Sequence, residues 1–232
     1  MQNRRLYSEY FAPYYDEISK RFFDYDKKVA SFMNLLKKDD RIFEIGIGTG
    51  LFAVHLHNEG FLIEGIDKSR DMIKLLKKNF PDLPAGFGDI KRYNFFRNYD
   101  VILMHSSVFL FTNINGTVVF ESYLTSEGDM IGVLDKLYDS LNIGGRLIMN
   151  IQKNPKKIYL NKNLFYGLIS KYYFAKKRVV KEHFLIKSGD VIMKNRVKKY
   201  TCFYNHFVDL INRSKFKDSS VIKNDEWVIL QK

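Results

Sequence analysis

Cysteine is nearly absent from this chain. One residue in 232, Cys202, cannot close an internal disulfide, so the sequence is no disulfide scaffold and suits a reducing compartment. Long apolar runs are missing as well. A membrane span needs about 20 apolar residues; the longest candidate, Val101 to Phe111, is short and broken by His105, Ser106 and Ser107. The opening residues, MQNRRLYSEY, lack the apolar stretch of a signal peptide, and a cytoplasmic protein with no membrane partner is expected. No Cys, His and Asp cluster has zinc or iron spacing, so no metal is expected. Neither a Gly-x-Ser-x-Gly elbow nor a Walker loop occurs. Acids are scarce in one region: Ile151 to Lys217 holds 17 Lys and Arg against three acids, whereas the rest holds 21 against 23. The net charge of +12 therefore resides in the later third, where a nucleic-acid surface, an anionic small substrate and a solvated face are all open readings.

What is present is enough for a real core. Hydrophobic residues make up 46% and charged residues 28%, which excludes disorder, and the length suits one α/β domain. The first stretch is aromatic (Tyr7, Tyr10, Phe11, Tyr14, Tyr15), and Pro13 predicts irregular backbone until about Asp16. Ile18, Phe22, Val29, Phe32, Met33 and Leu36 recur near helical spacing and predict one amphipathic helix. Strands at Arg41–Ile45, Phe61–Ile66, Asp100–Met104 and Arg146–Ile151 then alternate with helices from about Leu51, at Ser69–Asn79 and at Met130–Leu141, which predicts a parallel sheet with right-handed crossovers. Further on, Asn161–Phe174 reads as an aromatic helix. Lys187-Ser188-Gly189-Asp190 marks a hairpin, His206–Asn212 a short helix and Glu226–Leu230 a closing strand. The expected fold is α/β, Rossmann-like and doubly wound: a mostly parallel seven-stranded sheet with an antiparallel final strand and a small inserted helix plus β-hairpin. Residues 1–232 form one domain in this reading. Its parts are a cap at 1–40, a cofactor-binding core at 41–151, an acceptor-side insert at 152–204 and a closing segment at 205–232.

The strongest local signal is Phe43-Glu44-Ile45-Gly46-Ile47-Gly48-Thr49-Gly50, which follows a strand and opens a helix. Its glycines permit a tight turn and close approach of backbone to a ligand. The spacing is G-x-G-x-G and lacks the later glycine of the dinucleotide fingerprint. Glu44, just before the first glycine, suits a ligand with an amino group better than a pyrophosphate. Asp67 ends the next strand, where a carboxylate can accept two hydrogen bonds from ribose hydroxyls. Asp89-Ile90 follows a short strand, where a carboxylate can read an adenine amino group, and Gly144-Gly145 forms a helix–turn–strand unit.

In these positions, in this order and spacing over about Ile42 to Ile151, the sequence resembles the class I S-adenosylmethionine-dependent methyltransferases. The resemblance implies S-adenosylmethionine as cofactor and S-adenosylhomocysteine as product. Gly46 and Gly48 would face the methionyl part, Asp67 the ribose, Lys68 and Met72 the adenosine, and Asp89 and Ile90 the adenine. Met104, at the end of the fourth strand, joins this set. Tyr14-Tyr15-Asp16, followed by Tyr25, is similar to the segment that closes over the cofactor in N-methyltransferases of glycine-type amines and amino sugars. That likeness implies Tyr15 and Tyr25 as cofactor contacts and Tyr14 as orienting the amine.

In an open parallel sheet, ligands gather beyond the carboxyl ends of the strands, which is where His105-Ser106-Ser107 projects. Methyl transfer needs the acceptor lone pair aimed at the sulfonium methyl. An ammonium must first lose a proton, and His105 is the candidate base. The run His105-Ser106-Ser107-Val108 is unlike the Asn/Asp-Pro-Pro-aromatic run by which base-amine methyltransferases resemble one another. Ser106, Tyr159, Lys177 and Arg178 are the candidate substrate contacts, because the insert interleaves cations with aromatic rings. The leading expectation is N-methylation of a small amine with an anionic group, such as a phosphorylated amino alcohol or a nucleotide-linked amino sugar. Small-molecule O-methylation, RNA methylation with the insert as a stacking and phosphate surface, and a non-catalytic assembly role stand beside it. Oligomeric state is not legible.

Overall fold

The computed structural model describes residues 11–153, 157–217 and 221–232. Tyr7, Tyr10 and Lys156 lie outside the described residues. Helix α1 (Ala12–Phe22) carries Pro13 in its first turn, where a missing N–H costs no hydrogen bond, so it begins at Ala12 rather than near Asp16. A second helix, α2 (Tyr25–Met33), is separate. Phe23 is extended, and Asp24 caps α2 by accepting from the Lys27 N–H at 3.1 Å. The apolar spacing runs on across this break, which is why periodicity predicts one helix where there are two.

The core follows the expected alternation. Strands β1 (Arg41–Ile45), β2 (Leu62–Asp67), β3 (Ala85–Phe87) and β4 (Tyr99–Met104) are linked by helices α3 (Ala53–Asn58) and α4 (Arg70–Asn79). Ser69 caps α4 by accepting from the Met72 N–H at 3.2 Å. After β4 the chain forms β5 (Phe109–Ile114) and β6 (Thr117–Ser122), then α5 (Glu127–Asp139) and β7 (Leu141–Lys153). The chain returns later to this sheet as β12 (Val221–Lys223) and β13 (Trp227–Gln231). β3, β2, β1, β4 and β7 lie side by side and parallel, with β13 antiparallel on β7 and β12 beyond it. The central strands are buried on both faces: Phe43, Ile102 and Leu147 pack on one side, and Ile42, Val101, Leu103 and Ile148 on the other with Phe32 and Trp227.

A second, antiparallel sheet grows from the end of β7, and it is larger than the sequence suggests. Phe111 of β5 pairs in parallel with Ile151. From there the order runs β5, β6, β11 (Asp190–Phe203), β10 (Arg178–Lys187), β9 (Leu164–Tyr173) and β8 (Lys157–Asn161). The β5–β6 hairpin turns at Asn115-Gly116, both at positive φ (50° and 90°), the two-residue turn that Asn-Gly favours. The expected hairpin at Ser188-Gly189 is present as β10–β11. The expected helix at Asn161–Phe174 is not: that stretch is mainly β9, in which Leu164, Tyr166 and Leu168 are buried while Ile169 and Tyr173 are exposed. Its alternation has a period of two, and the aromatic density masks that period. Helix α6 (Tyr204–Asn212) leads back to the core. α1 lies on the inner face of the second sheet, where Phe11 and Ile18 pack with Ile158, Leu164 and Leu185. Among the described residues no helix is long and apolar enough to cross a membrane.

Candidate active site

The loop after β1 is pinned to its neighbour: the Gly46 and Ile47 N–H groups both donate to the Ile66 carbonyl, at 2.7 and 3.0 Å. Gly46 has φ +76°, and a Cβ there would stand 2.4 Å from the Ser107 Cβ, so a side chain does not fit. Asp67 ends β2 facing this loop. One of its oxygens accepts from the Gly48 N–H at 2.9 Å and the other from the Ser69 N–H at 2.7 Å. Each oxygen retains a lone pair that a sugar hydroxyl can use.

Three carboxyls crowd the loop. Glu44 is buried and its Oε2 has no hydrogen-bond partner; burial, reinforced by the Asp67 charge, raises its pKa well above the usual carboxylate range. Burial also raises Asp67, against its two backbone donors. Asp16 of α1 is raised by burial too, although it accepts from the Thr49 hydroxyl at 2.6 Å. That bond ties the cap helix to the glycine loop. Tyr25 is pushed up by burial and then by Tyr15 and Glu44. Lys20 acts on Asp16, but no cation acts on Glu44 or Asp67, and this acidic hollow beside the loop would suit a ligand carrying a sulfonium and an α-ammonium. Beside it, Lys68 pairs with Asp89 at 2.7 Å. Burial opposes ionisation of Asp89, but the Lys68 bond and charge leave its pKa below the ordinary value. Met72, Ile90 and Met104 are buried, the last two in the main apolar core.

His105 is not placed as a base. Its ring stacks on Phe52 (4.5 Å between centroids) and is hemmed by Phe23, Tyr25 and Trp227. Burial, then the charge of Lys28, pushes its pKa down to about 3, so the imidazole is neutral at physiological pH and holds a proton poorly. Its Nε2 is buried without a partner.

The next residue does reach a cavity. Ser106 adopts φ 55°, unusual for a side-chain-bearing residue. It is held there by its N–H to Asn150 Oδ1 (2.7 Å) and its hydroxyl to Gln152 Oε1 (2.8 Å). With Tyr15, Gln152, Lys181, His183 and Lys199 it lines a cavity of about 110 Å³ between α1 and the second sheet. Tyr15 also lies against the glycine loop, since a Cβ on Gly48 would be 4.0 Å from its ring. The cavity thus adjoins the acidic hollow. Tyr14, one residue earlier, packs against the same apolar cluster under α1 as Tyr15 but does not line the cavity.

The structure separates the other expected substrate contacts from this cavity. Lys177 lies in an exposed ion cluster around Glu127, at 2.7 Å, with His206 and Arg213. Tyr159 is 58% exposed, with the Lys157 ammonium 4.6 Å from its ring centre. Arg178 is partly exposed at the start of β10 and does not line the cavity. Lys181 and Lys199 line the cavity instead, with Glu121 paired to Lys181 behind them, and sequence reasoning singled out none of the three. Glu121 is fully buried, paired with Lys181 at 2.7 Å, and accepts from Thr112 (3.0 Å) and Tyr172 (2.8 Å). Burial acts against it, but the two lysines keep its pKa low. Alternation along β10 and β11 was the available signal, but it does not show which face is covered. Among the described residues no group of three His, Cys, Asp or Glu side chains is placed to hold a metal.

No family model matches the chain. It is 27% identical over 225 residues to a carboxy-S-adenosyl-L-methionine synthase from Nautilia profundicola, covering 93% of this chain and 88% of that protein. The CcbJ methyltransferase of Streptomyces caelestis superposes with a TM-score of 0.75 at 15% identity, covering 97% of this chain and 96% of that one. CalS10, an amino pentose methyltransferase from Micromonospora echinaspora solved with S-adenosylmethionine, gives 0.67 at 11% identity and covers 99% of both chains. Both structures share their fold with this chain.

Proposed function

Because this chain is an S-adenosylmethionine-dependent methyltransferase of class I fold, we propose that it methylates the amine nitrogen of a small molecule that also bears an anionic group. One observation carries this reading: Tyr15 lies close to the glycine loop, where a Cβ on Gly48 would meet its ring at 4.0 Å, and also lines a cavity that holds two buried lysines. In this reading Glu44, Gly46, Gly48 and Asp67 hold the cofactor, with Tyr25 and the Lys68–Asp89 pair at its margins. The cofactor, when bound, supplies an electrophilic methyl group. The chain's part is to orient the acceptor nitrogen and exclude water. Tyr15 and the strained Ser106 sit at the seam between hollow and cavity and would orient the amine. An amine loses its proton at only mildly alkaline pH, so it becomes nucleophilic without a strong base.

Replacing His105 with alanine is therefore expected to lower kcat by disturbing the wall of the hollow. It should leave every inflection of the rate profile between roughly pH 6 and 9 in place. An inflection that vanishes with the substitution would restore His105 as the base.

The function itself is tested by incubating the chain with methyl-labelled S-adenosylmethionine and separate pools of phosphorylated amines, amino-sugar nucleotides, amino acids, alcohols and bulk RNA. Label is expected on nitrogen of a small anionic amine. Label on RNA or on a hydroxyl would overturn the proposal. So would a cofactor-derived product enlarged by one carboxyl group, the outcome that the Nautilia likeness brings into view.

A further inference from the structure

We infer that Lys181, Lys199 and His183 form a subsite for one carboxylate, and that the methyl acceptor is a small amino carboxylate. This rests on the anionic-amine reading above and names the anion.

The strand register builds the subsite. Thr201 of β11 faces Glu121 of β6, and Val197 faces Lys181 of β10. Glu121, Lys199 and Lys181 therefore come together on one face of three adjacent strands, with His183 two residues further along β10. Both lysines are buried, at 3% and 5% side-chain exposure, where a lysine is rarely found unpaired. They share a single carboxylate. Lys181 reaches Glu121 Oε2 at 2.7 Å, but Lys199 stands 3.7 Å from the same oxygen, too far for a hydrogen bond. Lys199 rests instead 4.0 Å from the ring centre of Tyr123. Two lysines share one carboxylate in a buried place, so the second lacks a counter-charge of its own. Burial lowers both, Lys181 to about 8, and an anion entering beside them favours their charged forms.

His183 adds a third polar group. Its Nδ1 is 2.6 Å from the Tyr166 hydroxyl, while its Nε2 is buried, has no partner and belongs to a residue lining the cavity. In the tautomer in which Tyr166 donates to Nδ1, Nε2 carries the hydrogen and is a donor. The subsite then offers two lysine amines and one N–H, with the nearby Glu121 carboxylate already engaged by Thr112, Tyr172 and Lys181.

Charge and size select the anion. A carboxylate supplies the one missing negative charge, whereas a phosphate monoester dianion would overshoot by one. The part of the ligand beside the lysines enters a narrow cavity of about 110 Å³, which suits a small group such as a carboxylate. Leu110, Ile158 and Leu168 complete the wall, so the atoms between carboxylate and amine meet an apolar surface.

The test uses the intact chain saturated with S-adenosylhomocysteine, titrated calorimetrically with small aliphatic α-amino acids, their carboxamides and O-phosphoethanolamine, and parallel turnover assays. Amino acids are expected to bind and accept methyl, with carboxamides at least about tenfold weaker. Lys199→Met and Lys181→Met should each raise KM for the amino acid about tenfold or more, bring acid and carboxamide close together, and leave S-adenosylhomocysteine affinity within about twofold. Equal binding of acid and carboxamide, or preference for O-phosphoethanolamine, would overturn the carboxylate assignment; both comparisons use the unmodified protein and do not depend on a variant folding. If label moves to a phosphorylated amine, only the subsite fails; if it moves to an amine without an anionic group, the anionic-amine reading fails with it and methyl transfer stands. If S-adenosylhomocysteine gives no heat, the methyltransferase reading fails and takes the subsite with it.

Discussion

Glu121→Ala should destabilise the protein by about 3–5 kcal/mol at neutral pH, because it strands two buried ammoniums without a counter-charge. Thr112 and Tyr172 would lose their acceptor as well. Part of the loss should return as pH rises, for the following reason. A lysine whose pKa is lower in the folded chain than in the unfolded one leaves the unfolded chain holding more protons between the two values. Stability then increases with pH across that window. For Lys181 the window runs from about 8 to the ordinary lysine value of 10.5, and removing Glu121, which raises both lysines, extends it downward. Urea unfolding of wild type and variant at roughly pH 7 and 9.5 reads this directly. A penalty of the same size at both values would mean lost packing rather than uncompensated charge. Glu121→Gln, which keeps an acceptor for Thr112 and Tyr172, should fall between wild type and alanine.

Asp67→Asn is the second large effect, and it concerns the cofactor. Asp67 accepts from Gly48 on one oxygen and Ser69 on the other. An amide can satisfy only one of them and turns its NH2 toward the other N–H. The loop then relaxes and a sugar hydroxyl loses a charged acceptor. Hydrogen bonds to a charged group contribute about 1.5–3 kcal/mol each, so S-adenosylhomocysteine affinity should fall roughly 100-fold with little change in fold. Calorimetry on the variant, with circular dichroism as control, tests this. A variant that binds within a few-fold of wild type would remove Asp67 from the cofactor site.

These two residues mark how far the sequence can be read. Asp67 was legible because its context is local. It ends the strand that follows the glycine-rich loop and its short helix, and parallel order puts it beside the loop. The core strands, α4, α5 and the Ser188-Gly189 hairpin were legible for the same reason, since each is a periodic run closed by its own cap or turn. Asn115-Gly116 was equally local and carries a strong hairpin signal, but the strands beside it show no clean alternation of apolar and polar residues. Asp24 likewise signals the break between α1 and α2, against a helical spacing that continues through it.

Sequence alone determined the parallel core, the glycine loop with Glu44 and Asp67, and the excess of cations late in the chain. It could not say which cations matter, because Lys177, Lys181 and Lys199 differ in nothing a linear pattern records. The tertiary structure decided that. An antiparallel register sends alternate residues to opposite faces, and α1 covers only one face. Lys181 and Lys199 came to rest beneath it against Glu121, while Lys177 was left among the surface ion pairs, so burial under the cap is what turned two ordinary lysines into a buried charge that calls for a partner.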